Sequence, residues 1–251
     1  MVPKISYWWS LVKLSEADLF KKRMLGYHFA MSKRYVRARK PEQKEERRQH
    51  LIGVARALID SESDLKLLSL NEIARSAKMA KANIYRYFES REALLLDLLW
   101  DEWQDWFKDF QKDWSRVQKS KKTFDHLIKT LAMSFSKRDL LCNLTTALPS
   151  VVEKNLTEQT IKEFKYRSMQ LFGEIANYLE NCSDDLDAKS YAIFLQDTVS
   201  LIAGIYPFSQ PNKVVAKVLM DPKLQFFKRD FSLELERYMM ALATNLKSKQ
   251  N

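Results

Sequence analysis

Four glycines and six prolines in 251 residues leave this chain few ways to turn tightly. A sheet protein with many short strands needs tight connections, which draw on glycine for positive φ and on proline for preset turns. The scarcity therefore predicts an all-α fold. Gly26, Gly53, Gly173 and Gly204 also lie far apart, whereas loops that cradle phosphates on backbone N–H groups need clustered glycines. Rossmann and P-loop enzymes are excluded on that ground. No triad, metal spacing or phosphate loop suggests any other enzyme, and no cofactor is expected.

The net charge of +10 is unevenly distributed. Residues 1–30 carry five basic and two acidic groups, residues 31–95 fifteen and nine, and the remainder twenty-two and twenty-one. A basic N-terminal region attached to a balanced body suits attraction to a polyanion. Cys142 and Cys182 are the only cysteines and have no metal spacing, so two reduced thiols are expected. His28, His50 and His126 are scattered, and no metal site is expected. No apolar run approaches the roughly 18 residues that cross a bilayer, and Ile5 to Val12 is too short for a signal-peptide core. These features predict a cytoplasmic protein.

The first thirty residues, with Tyr7, Trp8 and Trp9 and the basic cluster Lys21-Lys22-Arg23, differ in character from the rest of the chain. One reading makes Met31 the physiological start; the other makes the segment a surface extension. The division expected is an extension or basic arm over 1–40, a helix-turn-helix over 41–95, and a helical effector-binding and dimerisation domain over 96–251.

After Pro41, the residues Leu51, Val54, Ala55, Leu58 and Ile59 form one apolar helical face. Ser69-Leu70-Asn71-Glu72 is a capping box, with the hydroxyl and the carboxylate each expected to satisfy an orphan N–H. The helix it opens has Ile73, Ala74 and Ala77 on its apolar side. A short third helix is expected from Ala80 to Phe88, with Ile84 and Phe88 four apart. Ser90 then caps a fourth, with Leu94, Leu95, Leu98 and Leu99 inside. Two short helices joined by three or four residues, the second too short to stand alone, form the geometry that lays a helix in the DNA major groove.

In this stretch the sequence resembles the tetracycline-repressor family. Ser69 to Leu94 matches that family's DNA-binding signature nearly position by position, most specifically in Ile84-Tyr85-Arg86-Tyr87-Phe88-Glu89-Ser90-Arg91-Glu92. Three positions depart from it: Lys78 stands where the turn usually has glycine, Ala80 where a Ser or Thr cap is usual, and Ala82 where glycine or proline is frequent. If the turn keeps positive φ, Lys78 costs on the order of 1 kcal/mol, and the missing cap a similar amount.

The resemblance implies a dimeric regulator that binds double-stranded operator DNA, a repressor released by a small-molecule effector. The alternative is a helical interaction protein with a degenerate helix-turn-helix that no longer binds DNA. The DNA-binding candidates are Ser69, Asn71, Lys81, Ala82, Asn83, Tyr85, Tyr87 and Arg91. Arg91 opposes the macrodipole at the start of its helix, so its charge is assigned to an external phosphate. Lys33, Arg34, Arg37, Arg39 and Lys40 could form an arm for the minor groove.

Helix four continues with an aromatic stripe. Trp103, Trp106, Phe107 and Phe110, with Phe172 and Phe194 further on, are the effector-pocket candidates, and ordinary core is the competing reading. Asp97, Asp101, Asp105, Asp109 and Asp113 form an i+4 row expected to be a solvated face. Further helices are expected over 123–137, 140–148, 157–181 and 184–206, with a break at Pro207 and Pro211. A last helix is expected to be capped by Asp221 and to open on Pro222. By the resemblance, the last two long helices dimerise, with Leu235, Met239, Leu242 and Leu246 on the shared face.

Overall fold

A computed structural model describes residues 41–250 apart from 63, 64, 66 and 67. The basic arm, Met31, Ser63 and Asp64 lie outside the described residues. The chain divides into two compact units, residues 1–46 and 47–251. Of the first, only Pro41 to Glu46 is described, as the opening of a helix. Among the described residues the fold is helical, with no strand.

Ten α-helices are described: α1 Pro41–Glu62, α2 Leu70–Ser76, α3 Lys81–Ile84, α4 Arg91–Ser115, α5 Phe124–Ser136, α6 Asp139–Ala147, α7 Glu158–Cys182, α8 Ala188–Ser209, α9 Lys213–Val218 and α10 Phe231–Ser248. Proline at the start of α1 fits, because its missing N–H would be unsatisfied there anyway. The inward face of α1 is Leu51, Ile52, Ala55 and Ile59, while Val54 and Leu58 are not fully buried. The stripe is thus rotated slightly from its expected position.

α4 is the axis of the second unit. At about 1.5 Å per residue its 25 residues span roughly 37 Å. Leu94, Leu95, Leu96, Leu98 and Leu99 are at most 1% exposed, so this stretch is enclosed on nearly every side. Each such side chain contributes about 1.5–3 kcal/mol by burial. Farther along, α4 packs against α5, α6 and α7. α8 packs on α6, α7 and α10, and α10 closes the other side against α5.

Two boundaries differ from expectation. α8 runs through Pro207 to Ser209, because proline so near a helix end removes only one N–H from the last turn. Asp221 does cap a helix opening on Pro222, accepting from the Lys223 N–H at 2.9 Å, but that helix is a 3-10 segment ending at Phe227 with no buried residue. A short helix without a packed face does not propagate. The last α-helix begins at Phe231 instead, with Asp230 accepting from the Leu233 N–H at 3.0 Å. Contrary to the expectation from the sequence, α8 is long and apolar enough to cross a membrane, the one such helix among the described residues. Its Tyr191, Phe194, Leu195, Thr198 and Ile202 are buried in the fold.

Candidate nucleic-acid interface

The candidate surface is built on α2, α3 and the start of α4. The Ser69 Oγ accepts from the Glu72 N–H at 3.2 Å, the first half of the expected box. The reciprocal half is replaced: the Glu72 carboxylate turns to Arg75, 3.7 Å away. Leu70, Ile73 and Ala74 point inward, leaving Asn71, Arg75 and Ser76 exposed.

The turn after α2 is a Schellman motif. The Met79 N–H donates to the Ala74 carbonyl at 2.8 Å and the Lys78 N–H to the Arg75 carbonyl at 3.0 Å. Such a motif places its middle residue in the left-handed region, and Lys78 has φ +52°. It is the only non-glycine residue with positive φ among those described. Ala80 opens α3 in an extended conformation with no side-chain cap.

α3 has four residues and one fully buried side chain, Ile84. Phe88, one turn on, is 2% exposed and lies under the Arg48 guanidinium, 5.1 Å from the ring centre. These two anchors leave Lys81, Ala82, Asn83 and Tyr85 exposed, with Tyr87 half-buried. A shallow depression of about 370 Å³ is lined by Ser69, Asn71, Tyr85, Glu89, Ser90 and Arg91, with Leu68 and Leu70. Ser90 caps α4 by accepting from the Ala93 N–H at 3.0 Å, so the positive end of the 25-residue helix faces this depression.

Arg91 has partners within the chain. Its Nη2 lies 2.7 Å from Glu92 Oε1, and its Nη1 donates to the Leu68 carbonyl at 3.3 Å. Its charge is met by the 6% exposed Glu92, and the side chain ties the approach to α2 onto α4. From residue type alone, Glu92 is only a favourable first-turn charge; its position beside the guanidinium makes it the partner that offsets the macrodipole.

The aspartate row is not one solvated face. Asp97 is 5% exposed and lies between Arg48 of α1 and Arg167 of α7, the latter at 3.4 Å. Glu102, which the sequence pattern does not single out, is 3% exposed, with Arg56 of α1 at 2.8 Å and Arg138 at 3.9 Å. Asp97 and Glu102 thus each join an arginine from α1 to one from beyond α4, Arg167 of α7 and Arg138 in the link between α5 and α6. Burial lowers the Arg167 pKa from its ordinary value, opposed by Glu163 and Asp101. A further tie runs from the Thr160 hydroxyl of α7 to Glu89 at 2.8 Å.

A family model described as "Tetracyclin repressor-like, C-terminal domain" matches residues 100–249, and one described as "Bacterial regulatory proteins, tetR family" matches residues 51–98. The chain belongs to the tetR family. Members are DNA-binding transcriptional regulators, and this chain is one of them. Among solved structures, the fatty acid degradation regulator FadR from Bacillus halodurans is similar at 15% identity, covering 82% of this chain and 97% of that one, with a TM-score of 0.47. The probable transcriptional regulatory protein RHA5900 is similar at 19% identity, covering 73% of this chain and 100% of its own, with a TM-score of 0.32. No curated protein sequence matches the chain.

In this tetR-family chain most of the effector candidates pack on one another. Trp106 stacks on Phe135 at 4.3 Å and on Phe110 at 5.9 Å, and its Nε1 donates to Ser134 at 2.8 Å. Trp103 meets Trp106 edge-on at 5.4 Å and Phe172 at 5.2 Å. Phe107 meets Tyr178 at 5.6 Å. Trp106 and Phe110 are 1% exposed, whereas Phe107 and Phe172 keep partly open edges. Phe194 is fully buried on α8 beside Tyr191.

The dimer candidates also separate. Leu235 and Met239 are at most 1% exposed within the chain's own core, and Leu242 and Leu246 are half-buried. The opposite face of α10 carries a groove of about 540 Å³ lined by Leu233, Glu236, Arg237, Met240, Ala241 and Thr244.

Proposed function

We propose that the chain is a homodimeric, cytoplasmic repressor whose residues 41–95 read operator DNA and whose residues 96–251 bind an effector and dimerise. The observation that carries this reading is the exposed group of Asn71, held on α2 by Leu70 and Ile73, with Lys81, Asn83 and Tyr85, held by the buried anchors Ile84 and Phe88. Lysine and asparagine can reach base edges or phosphate, and a tyrosine hydroxyl can donate to phosphate. One such surface covers half a site, and a two-fold dimer supplies the other half. The basic arm before Pro41 adds charge that can track the minor groove.

Release by an effector requires differential affinity for two arrangements of the reading heads. α4 is the lever in this reading, because Asp97 and Glu102 couple it to α1 on one side and to Arg167 and Arg138 on the other. An apolar or amphipathic molecule that parts the aromatic cluster at the half-open Phe107 and Phe172 would tilt α4 and strain those pairs. The alternative, a helical interaction protein without DNA binding, draws on the φ of +52° at Lys78 and the uncapped Ala80.

A fluorescence-anisotropy titration against the DNA upstream of the protein's own gene, at several salt concentrations, tests the choice. Specific binding that weakens with salt and is lost in a Lys81→Ala, Asn83→Ala double variant is the expected result. Affinity no better than for random DNA, and unchanged by the double variant, would favour the interaction protein.

A further inference from the structure

Between α8 and α10 the chain builds regular structure that it does not bury. Asn212 caps α9 by accepting from the Val214 and Val215 N–H groups, both at 3.0 Å. Asp221 caps the next segment, the 3-10 helix, and the Gln225 side-chain amide donates to the Leu219 carbonyl at 2.8 Å. Yet neither α9 nor the 3-10 segment contains a buried residue. A six-residue helix is marginal in water without a packed face. This one presents apolar side chains instead: Val214 is 73% exposed, Met220 76% and Phe226 83%, with Phe208, Val218 and Phe227 more than half exposed.

We propose that residues 208–230 are a docking arm that packs onto a second copy of this chain, which rests on the reading of the protein as a dimer. Together with Val215, the exposed side chains present roughly 800 Å² of mostly apolar surface, the scale of one partner's share of a standard interface and more than a typical monomer leaves open. A second copy is the occupant because of what flanks the arm. It joins α8, whose Ile193, Val199, Leu201 and Ile205 are only partly covered, to α10, whose outward groove holds Leu233, Met240 and Ala241. The arm thus links two half-covered apolar helices along the chain, and the area it leaves open is what a two-fold axis pairs with the same area on a second copy.

Sedimentation equilibrium of the full chain across nanomolar to micromolar concentrations tests the arm. A Phe226→Asp, Phe227→Asp double variant places charge at two exposed sites, so its helical circular dichroism should match wild type. Its dimer dissociation constant should rise at least about a hundredfold, as expected for losing two aromatic anchors. A Leu233→Glu, Met240→Glu variant separates the two ideas: if it becomes monomeric while the arm variant keeps wild-type affinity, the dimer reading stands and the arm proposal is overturned. A wild type that stays monomeric at tens of micromolar overturns the dimer reading, and the arm with it. Loss of helical signal in the arm variant would show that its phenylalanines serve the protomer, and would also overturn the arm. Because Lys213, Lys217, Lys223, Lys228 and Arg229 make the segment basic, flotation with phosphatidylglycerol vesicles is the last arm of the test. Vesicle binding by wild type that is lost in an arm variant still dimeric would overturn the proposal in favour of a membrane surface.

Discussion

Replacing Lys78 with glycine should stabilise the protein. The Schellman turn after α2 requires a left-handed residue, and Lys78 supplies it at φ +52° with a Cβ that clashes in that region. A non-glycine residue there costs about 1–2 kcal/mol. Glycine relieves that cost but loses about 0.5–1 kcal/mol through the greater freedom of the unfolded chain. The net gain is about 0.5–1 kcal/mol, or roughly 1–4 °C in Tm for a chain of this size. Lys78 is exposed, so Lys78→Ala removes the same charge while keeping the strained Cβ, and it isolates the backbone effect. Thermal melts of the three proteins, followed by circular dichroism at one salt concentration, should place Lys78→Gly above both others. If Lys78→Gly melts at or below Lys78→Ala, the turn does not store this strain.

Ala80→Ser, at a residue already extended, should add up to about 1 kcal/mol by capping α3, and a thermal melt no higher than wild type would refute it. Asp97→Ala should destabilise the fold by about 3 kcal/mol, the low end for breaking a buried pair because Arg48 and Arg167 both reach solvent, whereas Asp113→Ala should cost under about 0.5 kcal/mol; urea titrations giving equal effects would refute this assignment. Arg91→Ala should lower Tm and leave the salt slope of DNA binding nearly unchanged, while Lys81→Ala, if Lys81 contacts phosphate, should flatten that slope by roughly 0.9; the reverse pattern would restore Arg91 as the phosphate anchor. Hydrogen bonds from Lys247 and Ser183 hold the Asp185 carboxyl below its ordinary pKa. Its contribution is therefore complete above the unfolded pKa near 4 and is lost as pH falls through the lower folded value. Asp185→Asn should melt lower than wild type at pH 7, by under about 1 kcal/mol, and the gap should close in acid; a gap that persists at about pH 2.5 would exclude charge as its source.

Local chemistry is the most legible part of the chain. The caps Ser69 and Ser90 follow from residue type and spacing, and both make the expected bond to the N–H three residues on. Lys78 stands in a glycine position, and its φ is positive as that position demands. Such features depend on a few neighbouring atoms, so the sequence contains nearly all the relevant information. The capping-box carboxylate escapes because Glu72 has a competing partner at Arg75, and choosing between them depends on where the Arg75 side chain lies.

Which face of a helix points where is harder to read, and the geometry explains it. Residues four apart on an α-helix are displaced by about 40°, so the row from Asp97 to Asp113 sweeps about 160° around α4 and cannot be a single face. Its first member turns into the junction with α1 and α7, while Asp109 and Asp113 remain exposed. α10 shows the same ambiguity between two stripes. Phe231, Leu235, Met239 and Ala243 form the inward one, and Leu233, Arg237, Met240 and Thr244 form another about 160° away. The inward stripe is the more apolar, which makes it the obvious dimer candidate from sequence, but a stripe that apolar is the one the chain buries in its own core. A face intended for a partner has to remain soluble until the partner arrives, so it carries charge among its apolar groups, as Arg237 does between Leu233 and Met240. For a helix that packs on both sides, the weaker stripe is thus the better interface candidate. On this reasoning a charge at Met239, at most 1% exposed, should unfold the protomer, and a charge at Met240 should only separate protomers.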